Sequence, residues 1–558
     1  MTRRTAVVLG ASAVPAAAQQ QTGSGAGYWQ ITAERVAAHD NGVEQLLKRQ
    51  TLDKSSPWAG GIADQYGLHN AGSTCGLISS LVVCLARPES RFRNNALAQE
   101  RLALALGYLD RKMTTDGNID LLITNFNSPP DSAFAMYSIA SAVSIARQAN
   151  RPELERAIAP VLKRMAGGIA KGGVHTPNHR WVMCAALAQA HALFPNAAWL
   201  KRIDDWLSEG IDIDADGQYS ERSTSGYNAV VDRALTVTSL KLNRPELLEP
   251  VRKNLHAFMY LLHPGNEVVT EISKRQDQYT RGSVNGYWLA LRNLALRDGN
   301  GQFEYLARLT GPGVAELLEY PELMAPGPEP KPIPTDYERQ MPAVGIARIR
   351  RGETSATMMM GGTSRLFSLR RGQAVVAAVR FAGAFFGKGQ FVPSNAVKAA
   401  GSYVWTQSID AGYYQPFGDG TKQPVGVEVW YEMRTKRQRT EVCKIEYRAE
   451  LKEIAGGFRV RFSAQGTNDL PVALEINLQG DAGVLSGCEA APDVADGFVL
   501  PTGKQAVWKV GSDEVRFGPG LGQHQYTQVR GAEAKLGGKC VYLTGYAPFD
   551  HTIEFRWA

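Results

Sequence analysis

The sequence predicts a multidomain protein in which a domain of helical hairpins is followed by an antiparallel β-sandwich. Residues 28–320 contain successive runs with apolar residues at helical spacing, separated by short polar or Gly/Pro breaks. After a proline-rich stretch at residues 325–334, the runs become short, and most are rich in β-branched or aromatic residues. The length of 558 residues exceeds what one hydrophobic core organises, so at least two domains are expected.

The helical runs have similar lengths and follow one another in series. The clearest lie at residues 98–109, 132–147, 154–165, 181–193, 229–242 and 247–262. Asn150 and Asn243 are each followed by Arg-Pro-Glu, which is typical of a helix end with proline near the start of the next helix. Paired helices of this kind build either a closed α/α toroid or an open solenoid, and the pattern itself does not decide closure.

The short runs predict the strands of the second domain. They lie at residues 356–360, 374–381, 427–433, 440–447, 457–463, 472–478, 514–517 and 539–546. Because no helical run separates them, an antiparallel sandwich is expected. The predicted domains are therefore a signal peptide at 1–18, a helical domain at 19–324, a proline-stiffened linker at 325–338 and a sandwich at 339–558.

The first residues indicate a cleaved targeting segment. Arg3 and Arg4 precede an apolar run at residues 5–14, and Ala16 to Ala18 provide a small-residue cleavage site. The paired arginines are typical of signals for the twin-arginine export route. A general secretory signal and an alanine-rich N-terminus without a targeting role are the alternatives. We expect export to the periplasm or out of the cell. No later apolar run is long enough to predict a membrane span.

Composition and charge narrow the function classes. Hydrophobic residues make up 44% and charged residues 21% of the chain, as in ordinary globular proteins. The net charge of +7 is mild for this length, and no nucleic-acid-binding motif is present, so an acidic substrate is a better expectation than nucleic acid. The six cysteines form no CxxC pair, and neither a metal nor another cofactor is expected. They are either buried free thiols or, after export, partly bridged. No feature indicates an oligomeric state.

A polar stretch at residues 214–228 lies between two helical runs and carries the strongest functional signal. A loop that leads into a helix in this way serves ligand contact better than packing. Tyr227 opens the second helix and is expected to exchange a proton, with Arg222 close enough in sequence to stabilise its anionic form. Glu221 is a candidate substrate contact. Tyr219 is also a candidate substrate contact, although we prefer the interpretation that it packs in the core.

A second polar stretch, at residues 176–181, opens an earlier helix. Asn178, His179 and Arg180 lie in or beside its first turn, where donors suit a carboxylate ligand. Alternatively, Asn178 only caps the helix and His179 is an ordinary surface or core residue. The adjoining Asn and Arg favour function, and we expect this stretch to face residues 214–228 across one cleft.

Other polar loops also precede helical runs and add candidate substrate contacts. They supply Asn127, Asp131, Arg275, Asp277 and His69. Asp131 is equally well explained as a helix-start residue, and the charged run at 271–279 as a solvated face. In the second domain, Gln390 lies in an aromatic-rich stretch, and aromatic rings both stack on sugars and fill sandwich cores.

This layout and these motifs resemble the polysaccharide lyases of the heparinase II/III and alginate-lyase type. Those enzymes have an incomplete α/α toroid followed by an antiparallel β-sandwich. Their toroid carries an Asn-His pair at one helix start and, one or two helices later, Asp-Gly, an acid or amide, and a tyrosine. The matching residues here are Asn178, His179, Asp216, Gly217, Glu221 and Tyr227. Several such lyases also use a sandwich histidine, but no matching motif surrounds His524 or His551, so that role is not transferred.

The resemblance implies β-elimination at a uronic acid of an acidic polysaccharide or oligosaccharide. Asn178, with Arg222 or Arg180, would neutralise the carboxylate next to the C5 proton. His179 or Tyr227 would remove that proton, and Tyr227 would protonate the leaving oxygen at C4. The product would carry an unsaturated uronate at its new non-reducing end, and no metal would be required.

Two other function classes stay open at this point. A glycoside hydrolase on the same toroid would use two carboxylates from among Asp131, Asp216, Glu221 and Asp277. A periplasmic glycan-binding protein would keep the aromatic residues and show no turnover.

Overall fold

The structure, a computed structural model, describes residues 28–480, 482–492 and 494–557. The predicted signal peptide at residues 1–18 lies outside the described residues. The chain divides into two compact units. One contains the described residues up to Leu262 together with Asn266–Pro334, and the other contains His263–Gly265 and the residues from Thr335 onward.

α-Helices make up most of the first unit. Their bounds are α1 Ala33–Lys48, α2 Ala71–Ala86, α3 Ala96–Lys112, α4 Pro129–Gln148, α5 Pro152–Lys171, α6 Pro177–Leu193, α7 Ala197–Leu207, α8 Tyr227–Leu242, α9 Leu248–Phe258, α10 Trp288–Asp298, α11 Gly301–Leu309 and α12 Val314–Glu319. A small antiparallel hairpin of β1 (Ile119–Leu121) and β2 (Asn125–Ser128) precedes α4. The helical runs predicted from the sequence fall on α3, α4, α5, α6, α8 and α9.

The helices of this unit form two layers. Helices α2, α4, α6, α8 and α10 are buried along most of their lengths, and each packs against the next of this series. The intervening helices α1, α3, α5, α7, α9 and α11 pack against them on the other side. Several of these outer helices are amphipathic, which is the pattern expected when only one face is buried.

The contacts of helix α12 favour the α/α toroid over the open solenoid, the two arrangements that the sequence left open. It packs against α2 and α4, and its acids reach two more inner helices, since Glu319 accepts a hydrogen bond from Gln189 of α6 at 2.8 Å and Glu316 pairs with Arg233 of α8. One short helix thus contacts four of the five inner helices, as expected when these helices curve around it.

The predicted helix boundaries at the two Asn-Arg-Pro-Glu segments are confirmed. Asn150 and Asn243 both have φ of 53°, in the left-handed conformation that often ends a helix. Pro152 is then the first residue of α5, and Pro245 begins a short 3-10 helix before α9. Such tight reversals bring consecutive helices into antiparallel pairs.

The second unit is a β-sandwich, as predicted. Its strands are β3 Asp336–Met341, β4 Ile346–Arg351, β5 Thr354–Met359, β6 Phe367–Arg371, β7 Ala374–Gly383, β8 Asn395–Ala399, β9 Ser402–Tyr414, β10 Arg439–Ile454, β11 Gly457–Gly466, β12 Pro471–Gln479, β13 Val484–Ser486, β14 Glu489–Ala490, β15 Gly497–Val499, β16 Ala506–Val510, β17 Asp513–Gly518, β18 Lys539–Tyr546 and β19 Phe549–Arg556.

These strands form two sheets, ordered β13-β16-β17-β19-β11-β10-β9-β8 and β14-β15-β18-β12-β7-β6-β5-β4-β3. Neighbours are antiparallel except for the β15–β18 pair. Aromatic side chains from both sheets meet in the core, for example Phe381 and Phe462 with ring centroids 5.6 Å apart. The buried Tyr403 and Trp405 belong to this core, so their aromatic character serves packing.

One predicted strand is wrong. Residues 427–433 form the helix α13 (Val427–Arg434) in place of a strand. Their alternation of Val and Glu imitates a strand, but Glu428 in the first turn and Arg434 in the last complement the helix dipole.

The six cysteines are free, and Cys75, Cys84, Cys184 and Cys540 among them are buried. None of the described helices combines the length and apolarity needed to cross a membrane.

Candidate active site

The two polar stretches singled out in the sequence meet at the N-terminal ends of neighbouring inner helices. Helix α6 begins at Pro177, which places Asn178 and His179 in its first turn, and α8 begins at Tyr227. Because α6 and α8 pack against each other, these first turns are adjacent. The positive ends of both helix dipoles lie at this end of the toroid, which favours an anionic ligand.

A tight turn positions the loop that leads to Tyr227. Gly217 has φ of +81°, and its N–H donates to the carbonyl of Asp214 at 3.1 Å. A Cβ at this position would lie 2.7 Å from the carbonyl oxygen of Lys253, so glycine is required for both conformation and space. After this turn the chain passes along the site to Glu221.

Glu221 links the two stretches and a third segment. Its Oε2 accepts a hydrogen bond from Nδ2 of Asn178 at 2.6 Å, and its Oε1 lies 3.3 Å from Nη1 of Arg275. The backbone carbonyl of Glu221 also accepts from the N–H of Lys274 at 3.0 Å. Burial raises the pKa of Glu221, while the Asn178 hydrogen bond and the Arg275 charge oppose this shift. The carboxyl is thus a buried junction between α6 and the segment around Arg275.

Arg275 reaches from this junction to Tyr227. Its Cζ lies 4.7 Å from the centroid of the Tyr227 ring, within the range of a cation–π contact. Asp277 holds the same segment in place, because its Oδ1 accepts hydrogen bonds from Ser223 at 3.0 Å and from Ser273. Ser223 in turn accepts the N–H of Tyr227 at 3.0 Å. A fixed cation therefore lies beside a half-buried phenol.

His179 is buried beside a second histidine. Only 7% of its surface is exposed, and its ring centroid lies 4.6 Å from that of His175 in a perpendicular arrangement. Burial lowers the pKa of His179 to about 3, and the charges of His175 and Arg275 act in the same direction. The imidazole is therefore neutral near neutral pH and able to accept a proton.

Several buried polar atoms of this site have no hydrogen-bond partner among the described residues. They include Oδ1 of Asn178, Nδ1 of His179, Oε1 of Glu221, Nε of Arg275 and Oδ2 of Asp277. Buried polar groups in folded proteins are normally paired, so a cluster of unpaired ones indicates a place where water or a polar ligand binds. It offers acceptors as well as a cationic donor, which suits a sugar that carries both hydroxyls and a carboxylate.

The arginines of the candidate site differ in their contacts, and the roles predicted for Arg180 and Arg222 stay predictions. Arg180 forms ion pairs with Glu209 and Asp212, both at 2.9 Å. Arg222 has φ of 50°, and its Nη2 lies 3.8 Å from Asp214. The cation that contacts the ring of Tyr227 and the carboxylate of Glu221 is instead Arg275, predicted above only as a substrate contact.

Tyr219 is a core residue. It is 2% exposed, and its hydroxyl donates to the buried carboxylate of Asp232 at 2.7 Å. Burial and the neighbouring carboxylate raise the pKa of Tyr219 well above its usual range. This burial is what the packing interpretation expects, and the predicted substrate contact at Tyr219 stays a prediction.

The remaining candidates of the first unit lie near the N-terminal ends of α2 and α4. Asp131, in the first turn of α4, accepts hydrogen bonds from Ser128 and from Asn125 at 2.8 Å, so its helix-start role is evident. Asn127, in β2, bonds to Asp116 and Thr114 of the connection between α3 and β1. His69 bonds to Thr51 at 2.7 Å. Substrate contacts at these residues stay predictions.

Gln390 belongs to the second unit. Its Nε2 donates to the carbonyl of Phe381 at 3.0 Å, and its Oε1 accepts from the N–H of Glu533 at 2.9 Å. These bonds tie two segments of the sandwich together. The side chain thus has a structural role, and its predicted substrate contact stays a prediction.

His175 is a member of the site that the sequence analysis missed. It lies in the connection between α5 and α6, four residues before His179. The spacing offers no helical signal, because α6 begins only at Pro177. The one signal in the sequence that could have identified His175 is its position just before a predicted helix start, close to His179.

No family model matches the sequence, and no curated protein matches it. Solved structures do match. The chondroitin AC lyase of Streptomyces coelicolor A3, in complex with chondroitin sulphate, is similar with a TM-score of 0.55 at 13% identity, covering 96% of this chain and 81% of that one. A Paenibacillus xanthan lyase is similar with a TM-score of 0.56 at 9% identity, covering 95% of this chain and 58% of that one. The fold of this chain, an α/α toroid followed by a β-sandwich, is thus the fold of polysaccharide lyases.

Proposed function

We propose that the protein is a polysaccharide lyase that cleaves a uronic-acid-containing polysaccharide by β-elimination. The observation that carries this proposal is the convergence of the neutral His179, the phenol of Tyr227 and the cation of Arg275 at one end of the toroid. A neutral base, a proton donor and a fixed positive charge are the groups this reaction needs. The shared fold with polysaccharide lyases supports the same conclusion.

The carboxylate of the uronate binds to Arg275 in this proposal. The Nε of that guanidinium is buried and has no hydrogen-bond partner among the described residues. A carboxylate there would also lie near the N-terminal ends of α6 and α8. These positive groups withdraw electron density from the carboxylate, which makes the neighbouring C5 proton more acidic and stabilises the enolate that forms.

Proton transfer then uses His179 and Tyr227. The imidazole of His179 accepts the C5 proton, the electrons of the C5–H bond form the C4=C5 double bond, and the C4–O bond breaks. Tyr227 donates its hydroxyl proton to the departing oxygen and regains one from solvent. The bound carboxylate offsets the charge of Arg275, which removes part of the field that lowers the pKa of His179 and makes the imidazole a stronger base.

We assign Asn178 a different role from the one that the resemblance implied. Both protons of its amide nitrogen are directed to protein acceptors, Glu221 at 2.6 Å and Thr176 at 3.2 Å. The atom left for a ligand is Oδ1, an acceptor. We therefore assign Asn178 to a sugar hydroxyl and Arg275 to the carboxylate.

The reaction class is tested with heavy-oxygen water and a panel of acidic polysaccharides. Hydrolysis incorporates solvent oxygen into one product, whereas elimination leaves both products unlabelled and creates a double bond. Mass spectra of unlabelled, unsaturated fragments support the proposal. Fragments that carry the heavy oxygen would show a hydrolase and direct attention to Glu221 and Asp277, and an absence of cleavage across the panel would contradict both enzyme classes.

A further inference from the structure

Two loops of the first unit meet at a single carboxylate oxygen. Oδ1 of Asp277 accepts hydrogen bonds from the hydroxyl of Ser223, at 3.0 Å, and from the hydroxyl of Ser273. Ser223 in turn accepts the backbone N–H of Tyr227 at 3.0 Å, and Ser273 accepts that of Arg275 at 3.1 Å. The groups assigned above to proton donation and carboxylate binding are therefore held by the same arrangement on both sides of Asp277. We call Ser223, Asp277 and Ser273 the clamp.

Ser223 determines where helix α8 begins. The residue before the helix is Gly226, which has no side chain to cap the free N–H groups of the first turn. Ser223 supplies this function from within the loop. Its hydroxyl oxygen accepts the N–H of Tyr227, and its carbonyl oxygen accepts the N–H of Asn228 at 2.9 Å. A shift of this serine would move the first turn of α8, and Tyr227 with it.

Ser273 fixes the backbone of Arg275. Its oxygen accepts the N–H two residues further along the chain, which closes a tight turn. The N–H of the intervening Lys274 donates to the carbonyl of Glu221 at 3.0 Å, so the segment is tied to the site at two successive residues. The position of the guanidinium over the ring of Tyr227 depends on where this backbone lies.

The clamp acts through the residues that it holds. The side chains of Ser223 and Ser273 are 0% exposed, so neither hydroxyl is open to a substrate. Within the described residues, the Asp277 carboxylate contacts these two hydroxyls and no cation, and in a site for a polyanion its own charge opposes binding. The carboxylate instead supplies a strong acceptor for two hydroxyls at one atom, because hydrogen bonds to a charged oxygen are stronger than neutral ones.

We propose that Asp277 is a positioning residue that acts through Ser223 and Ser273. It fixes the phenol of Tyr227 and the guanidinium of Arg275 relative to each other. The inference rests on the proposed function for the roles of these last two side chains. Without Asp277 both serine hydroxyls lose their acceptor, and the two loops are no longer joined at one atom. Since a displacement of about 1 Å costs about 10²-fold in rate at a reacting centre, a loosened clamp is expected to slow the elimination.

A direct contact between Asp277 and the substrate is the competing interpretation. Its Oδ2 is buried without a hydrogen-bond partner among the described residues, which would suit a sugar hydroxyl. Asp277→Asn separates the two roles. The amide keeps a carbonyl oxygen for both serines, but it replaces the other acceptor with an N–H donor and removes the charge. Positioning survives this change, whereas a hydrogen bond accepted from the substrate, or acid catalysis in a hydrolase, does not.

Steady-state kinetics of four variants of the full chain, on the acidic polymer that the wild-type protein cleaves, test the clamp. We expect Asp277→Ala to lower kcat by roughly 10–100-fold. Asp277→Asn should stay within about fivefold of wild type, without a rise in KM. Ser223→Ala should lower kcat with KM unchanged, because it displaces only the proton donor, whereas Ser273→Ala should also raise KM, because it displaces the cation that binds the carboxylate. A merely structural role would change stability without this division between kcat and KM.

Ser90→Ala is the matched control. Ser90 is a buried serine that repeats the pattern of Ser273, since its hydroxyl donates to Asp40 at 2.7 Å and its oxygen accepts the N–H of Phe92 at 3.1 Å. It follows the C-terminal end of α2, whereas the clamp lies beside the N-terminal end of α8. The control variant should lose about as much stability as Ser273→Ala and keep kcat and KM unchanged.

Coupling between the variants separates a shared role from independent ones. If Ser273 acts through Asp277, the double variant Asp277→Ala/Ser273→Ala should lose no more than about twofold beyond Asp277→Ala alone, whereas independent roles multiply the two losses. Losses that multiply, or equal losses in Asp277→Ala and Asp277→Asn, would overturn the proposal. If Asp277→Ala does not fold, the division between kcat and KM in the two serine variants decides, and its absence would overturn the proposal as well.

A crystal structure of Asp277→Ala checks the clamp without turnover. We expect the distance between Cζ of Arg275 and the ring centroid of Tyr227, 4.7 Å in the wild-type protein, to increase in this variant and to be kept in Asp277→Asn. An unchanged distance in the alanine variant would overturn the positioning role. New reducing ends without a double bond in the wild-type protein would contradict only the proposed reaction, because the crystallographic comparison does not depend on it.

Discussion

The guanidinium of Arg275 lies over the ring of Tyr227, with 4.7 Å between Cζ and the ring centroid. The same side chain is 3.3 Å from the carboxylate of Glu221, which in turn holds Asn178. One arginine thus joins the first turns of α6 and α8 to the segment before α10. In our account it both binds the uronate carboxylate and stabilises negative charge that develops beside Tyr227 during proton transfer.

Replacing Arg275 should abolish most turnover. We expect Arg275→Ala to lower kcat by about 10²–10³-fold, because a fixed charge that stabilises the enolate is lost. Arg275→Lys should restore little, since an ammonium group lacks the planar fork that matches a carboxylate. Initial rates on the acidic polymer that the wild-type protein cleaves provide the measurement. Arg281→Ala is the control, because this nearby arginine is 64% exposed and pairs with Glu267. Equal losses in the two alanine variants would contradict a specific role of Arg275.

The buried His179 should make the protein sensitive to acid. Its pKa of about 3 in the folded state lies below its ordinary value of 6.5. The unfolded chain therefore binds the proton more tightly, and the free energy of unfolding falls as the pH decreases from 6.5 towards 3, with no contribution above 6.5. The effect amounts to at most about 1.4 kcal/mol per pH unit in this window.

His179→Gln removes this titration. Relative to wild type, the variant should gain up to about 2 kcal/mol between pH 7 and pH 5. Urea unfolding of both proteins at the two pH values measures the difference, and contributions of other groups, Glu221 included, cancel in the comparison. A constant difference would mean that the imidazole titrates normally and is not buried as the structure shows.

Glu221 separates elimination from hydrolysis. In our account it positions Asn178 and Arg275, so Glu221→Gln keeps the side-chain volume, loses the ion pair and should retain about 1–10% of the activity. Tyr227→Phe should be far more damaging, since the transferred proton is gone. Parallel rate measurements on the two variants give the ranking. Complete loss in Glu221→Gln, with activity retained in Tyr227→Phe, would instead fit a carboxylate acting as a general acid.

Tyr219 should matter for stability and not for chemistry. Tyr219→Phe leaves the buried carboxylate of Asp232 without its donor, which is expected to cost about 1–3 kcal/mol of stability. The rate per folded molecule should stay within about twofold of wild type, because the residue lies in the core. Denaturation and kinetics on one preparation test both statements. A large rate loss with unchanged stability would restore Tyr219 as a substrate contact.

The sequence predicted those parts of the molecule that depend on local signals. Helical spacing and the left-handed Asn150 and Asn243 define hairpins before any contact is known. Asn178 and Tyr227 were found because each marks the start of a helix. These two helices are alternate members of the toroid, so their first turns lie close together. Predicting where each helix begins therefore also predicted which residues share a site.

The sequence could not predict features that depend on contacts between distant parts of the chain. Arg222 and Arg275 are both cations in polar loops, and only the folded chain shows that Arg222 has positive φ and approaches Asp214 while Arg275 contacts Glu221. Helix α13 was mistaken for a strand because its alternating residues look like one. No strand of either sheet pairs with it, and without such a partner the helix, which satisfies its own backbone, is favoured.

The central claim is tested most directly by ultraviolet absorbance during incubation of the purified protein with alginate, polyglucuronate and glycosaminoglycans. The account predicts a steady rise from the new C4=C5 double bond with at least one polymer, and its loss in both His179→Ala and Tyr227→Phe. New reducing ends without any rise in absorbance, or a rise that survives in both variants, would contradict β-elimination at this site.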